Sequence, residues 1–225
     1  MAMEALRMPA RNTNLSRISI IGSGGMAAAI GGLAAWAGHT VEVMSRNPDN
    51  AKALADKIGD GASTGTFGAT PAGDIVILAV PYAVVLDVVK IYGGALAGRL
   101  IVDITNPVAS DRKSFVTPKD SFGAQEIASA APADAHVVKA FNTHFSHVLA
   151  AGSIEGRPLD VFIAGDDAQA KAQVSAFVEG LGLRPMDIGP LAMARTLEHA
   201  CLLSLGLIAH SIRHTNFAIG VNLPG

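Results

Sequence analysis

A chain of 225 residues, half of them apolar, has enough material for one large domain, or one large and one small, around a sizeable core. Charged residues make up 16%, the net charge is -2 and the isoelectric point is about 6.4, so no basic footprint exists for nucleic acid or an anionic membrane surface. A single cysteine, Cys201, excludes an internal disulfide and every multi-cysteine metal site.

The opening stretch "MAMEALRMPARNTNL" carries Glu4 and Pro9 and has no secretory apolar region, so residues 1–16 read as a flexible leader and the protein as cytoplasmic. Apolar strand-like runs then recur at 17–21, 40–45, 74–80, 99–104, 136–141 and 159–165, with a shorter one at 184–189. Helical patterns fall between them at about 25–37, 48–58, 81–91, 122–130 and 167–181. Such alternation predicts an α/β architecture, a Rossmann-type doubly wound parallel sheet over 17–189. The longest apolar run, "IVILAVPYAVVL" at 75–86, is too short to span a bilayer and contains Pro81. After "IGP" the strand pattern stops, and 190–225 reads as a small C-terminal helical cap, apolar on more than one face. That face suits burial against the main domain or a second subunit in a homodimer. Within it, Cys201 in "HACLLSLGLIAH" reads as an inert core thiol.

"IIGSGGMA" has the form G-x-G-x-x-A directly between a strand and a helix. Gly22 suits the tight turn, Gly24 lets the backbone approach a pyrophosphate, and Ala27 sits where helix packs on strand. The free N–H groups of Gly24, Gly25 and Met26 face the same way as the positive end of the helix dipole. The second strand ends in Ser45 and Arg46 rather than in the carboxylate that accepts ribose hydroxyls in NAD sites. A hydroxyl and a forked guanidinium suit a 2′-phosphate, so the expected cofactor is NADP. Pro48 opens the next helix; Lys52 is either an assistant or a surface charge, and Glu42 lies mid-strand, away from the ribose position.

Three further strand ends, "AVPY" (79–82), "ITNP" (104–107) and "AFNTH" (140–144), belong on the same sheet edge. Asn106, beside Pro107, together with Asn142 and Thr143 are placed to touch a nicotinamide or a second substrate, or else serve as turn and cap residues. His144, His147 and His199 read as structural rather than as proton relays. No metal spacing and no nucleophile elbow occur, and no catalytic side chain is assigned.

The order of "IIGSGGMA", "VEVMSR", "DIVILAVPY", "IVDITNP", "VVKAFNT" and "GLRPMDIGPLAMARTLE" resembles the NADP-dependent coenzyme F420 oxidoreductase family over roughly 17–200. It is similar, less closely, to the cytosolic reductase domain of six-transmembrane metalloreductases. The resemblance implies NADP held by Ser23, Gly24, Gly25, Met26, Ser45, Arg46, Ala79, Val80 and Pro81, and a deazaflavin stacked on the nicotinamide. It places Asn142, Thr143 and the turn Gly189, Pro190, Leu191, Ala192 and Met193 near the flavin-like ring. The loop departs from the family in having Ala27 where the last glycine stands. FMN or FAD as acceptor, with electrons passed on to iron, and a non-catalytic NADPH-binding regulator are the rival readings. The glycine loop also resembles that of pyrroline-5-carboxylate reductases, whose long dimerisation domain has no room here. An imine or hydroxyacid reductase calls for a long catalytic helix that the short tail does not supply.

Overall fold

The computed structural model describes residues 15–222, so the leader proposed for 1–16 lies almost wholly outside the described residues. Strands β1 (Arg17–Ile21), β2 (Thr40–Met44), β3 (Ala62–Gly65), β4 (Ile75–Leu78), β5 (Leu100–Asp103) and β6 (His136–Lys139) form the parallel part of an eight-stranded sheet. Helices α1 (Gly25–Trp36), α2 (Pro48–Ile58), α3 (Tyr82–Tyr92) and α4 (Gly123–Ala130) connect them. Past β6 come α5 (Ser146–Ala151), a small hairpin of β7 (Ser153–Ile154) and β8 (Arg157–Pro158), then β9 (Asp160–Gly165), α6 (Ala168–Gly180) and β10 (Arg184–Asp187). A short 3-10 turn at Leu191–Met193 leads into α7 (Ala194–Leu207) and a π-helical turn at Ile208–Ile212.

The strands are apolar at consecutive positions because both faces are covered. Ile18, Ile20, Ile75 and Ile77 enter one core with α1, α2 and α6, while Ile21, Val76 and Leu78 enter the other with α3, α4 and α7. Local chemistry sets the ends. Asn47 accepts from the Asp49 N–H (2.9 Å) ahead of Pro48 at the start of α2, and Asp167 accepts from the Ala170 N–H (2.6 Å) at the start of α6.

The strand order is β10-β9-β6-β5-β4-β1-β2-β3. The chain leaves β1 for β2 and β3 on one side and returns to β4 on the other, which makes the carboxyl ends of β1 and β4 a topological switch point. Two features differ from the sequence expectation. Strand β3, "ASTG", is half-exposed at the sheet edge and carries no apolar run to announce it. The sheet is not parallel throughout: β9 pairs with β6 antiparallel, Val138 opposite Gly165, and β10 follows β9. A parallel return would need a crossover that carries the chain back down the sheet. The link after β6 holds the six-residue α5 and the small β7–β8 hairpin, with no long crossover helix, and β9 starts beyond the end of β6.

The stretch Leu191–Ile212, 22 residues with a hydropathy of 1.3, is the one described helical segment long and apolar enough to cross a membrane by length and composition. Counting only uninterrupted apolar runs missed it. In the fold, the polar Glu198 of this stretch is buried against the sheet.

Candidate functional site: a cofactor cleft and an adjoining cavity

At the switch point, Gly22 has φ +128° and its Hα points at the Ala79 carbonyl; a Cβ there would lie 2.1 Å from that oxygen. No L side chain fits this approach of β1 to β4. Gly22→Ala is expected to lower stability by more than about 2 kcal/mol in urea unfolding, and an unchanged midpoint would refute the close approach. A Cβ on Gly24, by contrast, would meet nothing within 4 Å, so the backbone there faces open space. Gly25 is the first residue of α1 and packs on Ser146, and Ala27 is fully buried.

Gly22, Ser23, Gly24, Ser45, Arg46, Ala79, Val80 and Pro81 line one cleft of about 290 Å³, whereas Gly25, Met26, Ala27, Asn106 and Pro107 of the expected cofactor set do not line it. Ser23 and Ser45 share a hydrogen bond (3.2 Å), which ties the glycine loop to the end of β2. Arg46 is exposed and, among the described residues, makes no ion pair. Lys52 turns to Asp56 (2.7 Å) and does not line this cleft. Glu42 accepts from the Ser19 hydroxyl and the Ala72 N–H, consistent with its place away from the ribose. Asn47, Asn50, Phe67, Val84 and Val88 complete the cleft. The loop "TGTFGAT" offered only a lone aromatic among turn residues as a sign of this.

On the neighbouring strands, Phe141 takes the left-handed conformation (φ 61°) while buried, a strained state for a bulky residue. It precedes a tight polar knot. The Asn106 amide donates to the Asn142 carbonyl (2.8 Å), and the Asn142 amide donates to Asn106 Oδ1 (2.8 Å) and to the Leu197 carbonyl of α7 (2.9 Å). Asn142 Oδ1 is buried with no hydrogen-bond partner among the described residues. Thr143 is buried beside it, and Pro107 is buried under the loop.

Beneath the knot lies a closed charge cluster. Lys139 Nζ donates to Asp103 (2.8 Å), to the Thr105 carbonyl (2.6 Å) and to Glu198 (3.1 Å), all three charged side chains being essentially inaccessible. Glu198 also accepts from the N–H groups of Gly123 (3.0 Å) and Ala124 (3.1 Å), filling the role of a cap for α4. The cluster therefore pins α7 to the sheet edge.

Asn106 opens a second, larger cavity of about 1080 Å³ between the 108–113 loop, Phe145 and the α7 face bearing Cys201, Leu202 and Leu205. Pattern reading missed these residues, because a cavity between a loop and a distant helix leaves no periodic mark. The turn Gly189–Met193 is not part of it. The Gly165 N–H donates to the Gly189 carbonyl (3.1 Å) and the Leu191 N–H to Asp166 (2.8 Å), level with the start of β6. Because β9 and β10 run against the other strands, their carboxyl ends fall on the opposite edge, and α7 returns from there to the site.

Burial shifts three titratable side chains near the site, Tyr82, His144 and Cys201. Burial, with Glu126, Glu198 and Asp103 close by, pushes the Tyr82 hydroxyl up to about 12. Burial pushes the His144 imidazole below its ordinary value, and its Nε2 holds the Asp160 carbonyl (2.7 Å), bracing β9. His147 stacks beside Phe145, and His199 is exposed, bonded to the Arg195 carbonyl (2.7 Å). Burial also raises the Cys201 thiol. Iodoacetamide at about pH 7.5 is expected to alkylate Cys201 more slowly than a free cysteine; equal rates would mean an exposed thiolate.

The fold and this edge define a Rossmann-type dinucleotide-binding domain, with a cradle for the pyrophosphate and space before it. Over residues 17–107 the chain matches the family described as NADP oxidoreductase, coenzyme F420-dependent. It is similar to Metalloreductase STEAP3 of Rattus norvegicus, 32% identical over 185 residues that cover 81% of this chain and 36% of that one. It is also similar to the F420-dependent NADP reductase of Methanocaldococcus jannaschii, 27% identical over 160 residues covering 69% and 70%. A solved protein from Arthrobacter sp. FB24 shares the fold with a TM-score of 0.81 at 24% identity, covering 92% of this chain and all of that one. The chain thus spans about a third of the metalloreductase relatives and most of the others.

Proposed function

We infer that this protein is an NADP-dependent oxidoreductase that moves a hydride between the nicotinamide and a flat flavin-like ring, with coenzyme F420 as the first choice of acceptor. The observation that carries the reading is the pair of adjoining spaces along one sheet edge. The dinucleotide cleft ends at Ala79–Pro81 after β4, and the larger cavity begins at Asn106 after the neighbouring β5.

The residues fit NADP. Gly24, Gly25 and Met26 present N–H groups and the amino end of α1 to the pyrophosphate, while Ser45 and the unpaired Arg46 suit the 2′-phosphate. Asn142 Oδ1, buried without a partner among the described residues, lines neither space; leaving such a buried oxygen unmatched costs about 1–3 kcal/mol. When bound, NADPH supplies the hydride. The protein's part is to hold two rings in register and exclude water, which for well-oriented partners lowers a barrier by up to roughly 7–11 kcal/mol. A neutral Tyr82 and a braced His144 are consistent with a reaction that asks no side chain for a proton.

FMN or FAD as acceptor, with electrons passed on to a metal, is the second reading; its metal step is what the 32% identity to a metalloreductase supports. Anaerobic oxidation of NADPH, then NADH, with F420, FMN and FAD offered separately tests both. Bleaching of F420 with NADPH alone is the expected result. Turnover only with FMN or FAD moves the acceptor to a flavin, and no turnover with any of them refutes the reading.

A further inference from the structure

The acceptor cavity has two unlike sides. The α7 side and Phe145 are apolar, as a flat ring requires, but the opposite loop carries charge. Val108 bridges Phe115, the Ala109 N–H donates to the Ser114 carbonyl (2.8 Å), and the Arg112 N–H donates back to the Ala109 carbonyl (3.0 Å), so the loop is a closed hairpin. At its tip the Asp111 carboxylate accepts from the Lys113 N–H (2.8 Å), the Ser114 N–H (3.1 Å) and the Ser114 hydroxyl (2.9 Å). Those bonds hold its carboxyl below the usual range and turn its charge inward on the loop's own backbone.

Arg112 follows in the left-handed conformation (φ 57°). It and Lys113 both line the cavity, are exposed, and among the described residues ion-pair with no carboxylate. Across from them His210, in the π-helical turn, lines the same mouth. One inward-turned carboxylate faces two free cations, on a protein whose net charge is -2. Two unpaired cations beside an apolar cavity large enough for a ring with a side chain make a mouth suited to an anion attached to that ring.

The geometry points to Arg112 and Lys113 as the residues that recognise a phosphoryl group on the acceptor's side chain, the ring itself lying between Phe145 and Leu205. This assignment rests on the proposed ring acceptor and adds its chemical class: a ring carrying an anionic tail, preferred to the same ring without one. A forked guanidinium and a point ammonium together hold a phosphate oxygen set that a neutral hydroxyl chain cannot replace. Because both cations are exposed, the preference is moderate and screened by salt.

FMN and riboflavin differ by one phosphate and serve as the probes. Binding is read by quenching of flavin fluorescence and catalysis by NADPH oxidation, for the unaltered protein and for Arg112→Gln/Lys113→Gln. The expected result is an FMN Kd and KM roughly 5- to 10-fold below those of riboflavin, a gap that closes to within about twofold in the double variant and narrows in 0.5 M NaCl. Equal affinity for the two probes in the unaltered protein overturns the assignment. So does a loss in the variant that is the same for FMN and riboflavin, or one that raises the KM of NADPH while leaving the flavin ratio alone. Turnover and quenching absent with both probes overturn the assignment, and NADPH oxidation with F420 in the same preparation then decides the ring-acceptor reading separately, whereas turnover with equal KM values defeats the tail alone.

Discussion

Arg46→Asp is expected to raise the KM for NADPH by roughly 100-fold while changing that for NADH by no more than about twofold. Arg46 stands at the end of β2 in the dinucleotide cleft, exposed and without an ion-pair partner among the described residues. The guanidinium therefore has its donors available to a phosphate dianion, and the substitution both removes these and sets a carboxylate against it. Glu42 cannot take over discrimination, being bonded to Ser19 and the Ala72 N–H one turn of pleat away from the strand end. Initial rates with each nucleotide at a fixed acceptor give the ratio. An equal loss for both nucleotides would show that Arg46 merely shapes the loop before α2.

Lys139→Met is expected to lower stability by about 3–5 kcal/mol, because it leaves Asp103 and Glu198 buried together without a cation. For a chain of this size that is a fall in Tm of roughly 10 °C. The damage has a direction. Glu198 belongs to α7 and caps α4, so loss of its partner loosens the wall of the acceptor cavity before the dinucleotide cleft. Calorimetry, paired with the KM values for acceptor and NADPH, reads both effects, the acceptor KM rising more. A fall in Tm of under about 2 °C would mean that water enters the cluster and solvates the carboxylates.

The glycine loop and the strand ends were legible because both depend on short-range chemistry. A Gly at φ +128° packed 2.1 Å from where a Cβ would meet a carbonyl leaves a mark at one position, and alternating apolar runs mark buried strands. Strand β3 left no such mark, since an exposed edge needs no apolar residues. The 189–193 turn was misplaced for a different reason. Its local sequence is compatible with either sheet edge, and only the direction of β9 decides between them.

By itself the sequence determined the class of fold and the glycine turn between β1 and α1, and it set Ser45 and Arg46 at the end of β2 beside that turn, each a matter of neighbouring residues and their allowed conformations. The tertiary structure alone decided that β9 and β10 reverse and that α7 therefore returns to the site. It also decided that Lys139, Asp103 and Glu198 close on one another across 36 and 59 residues of chain. Such contacts are set by how layers pack and by the demand that every buried charge find a partner, and neither condition is written in any single stretch.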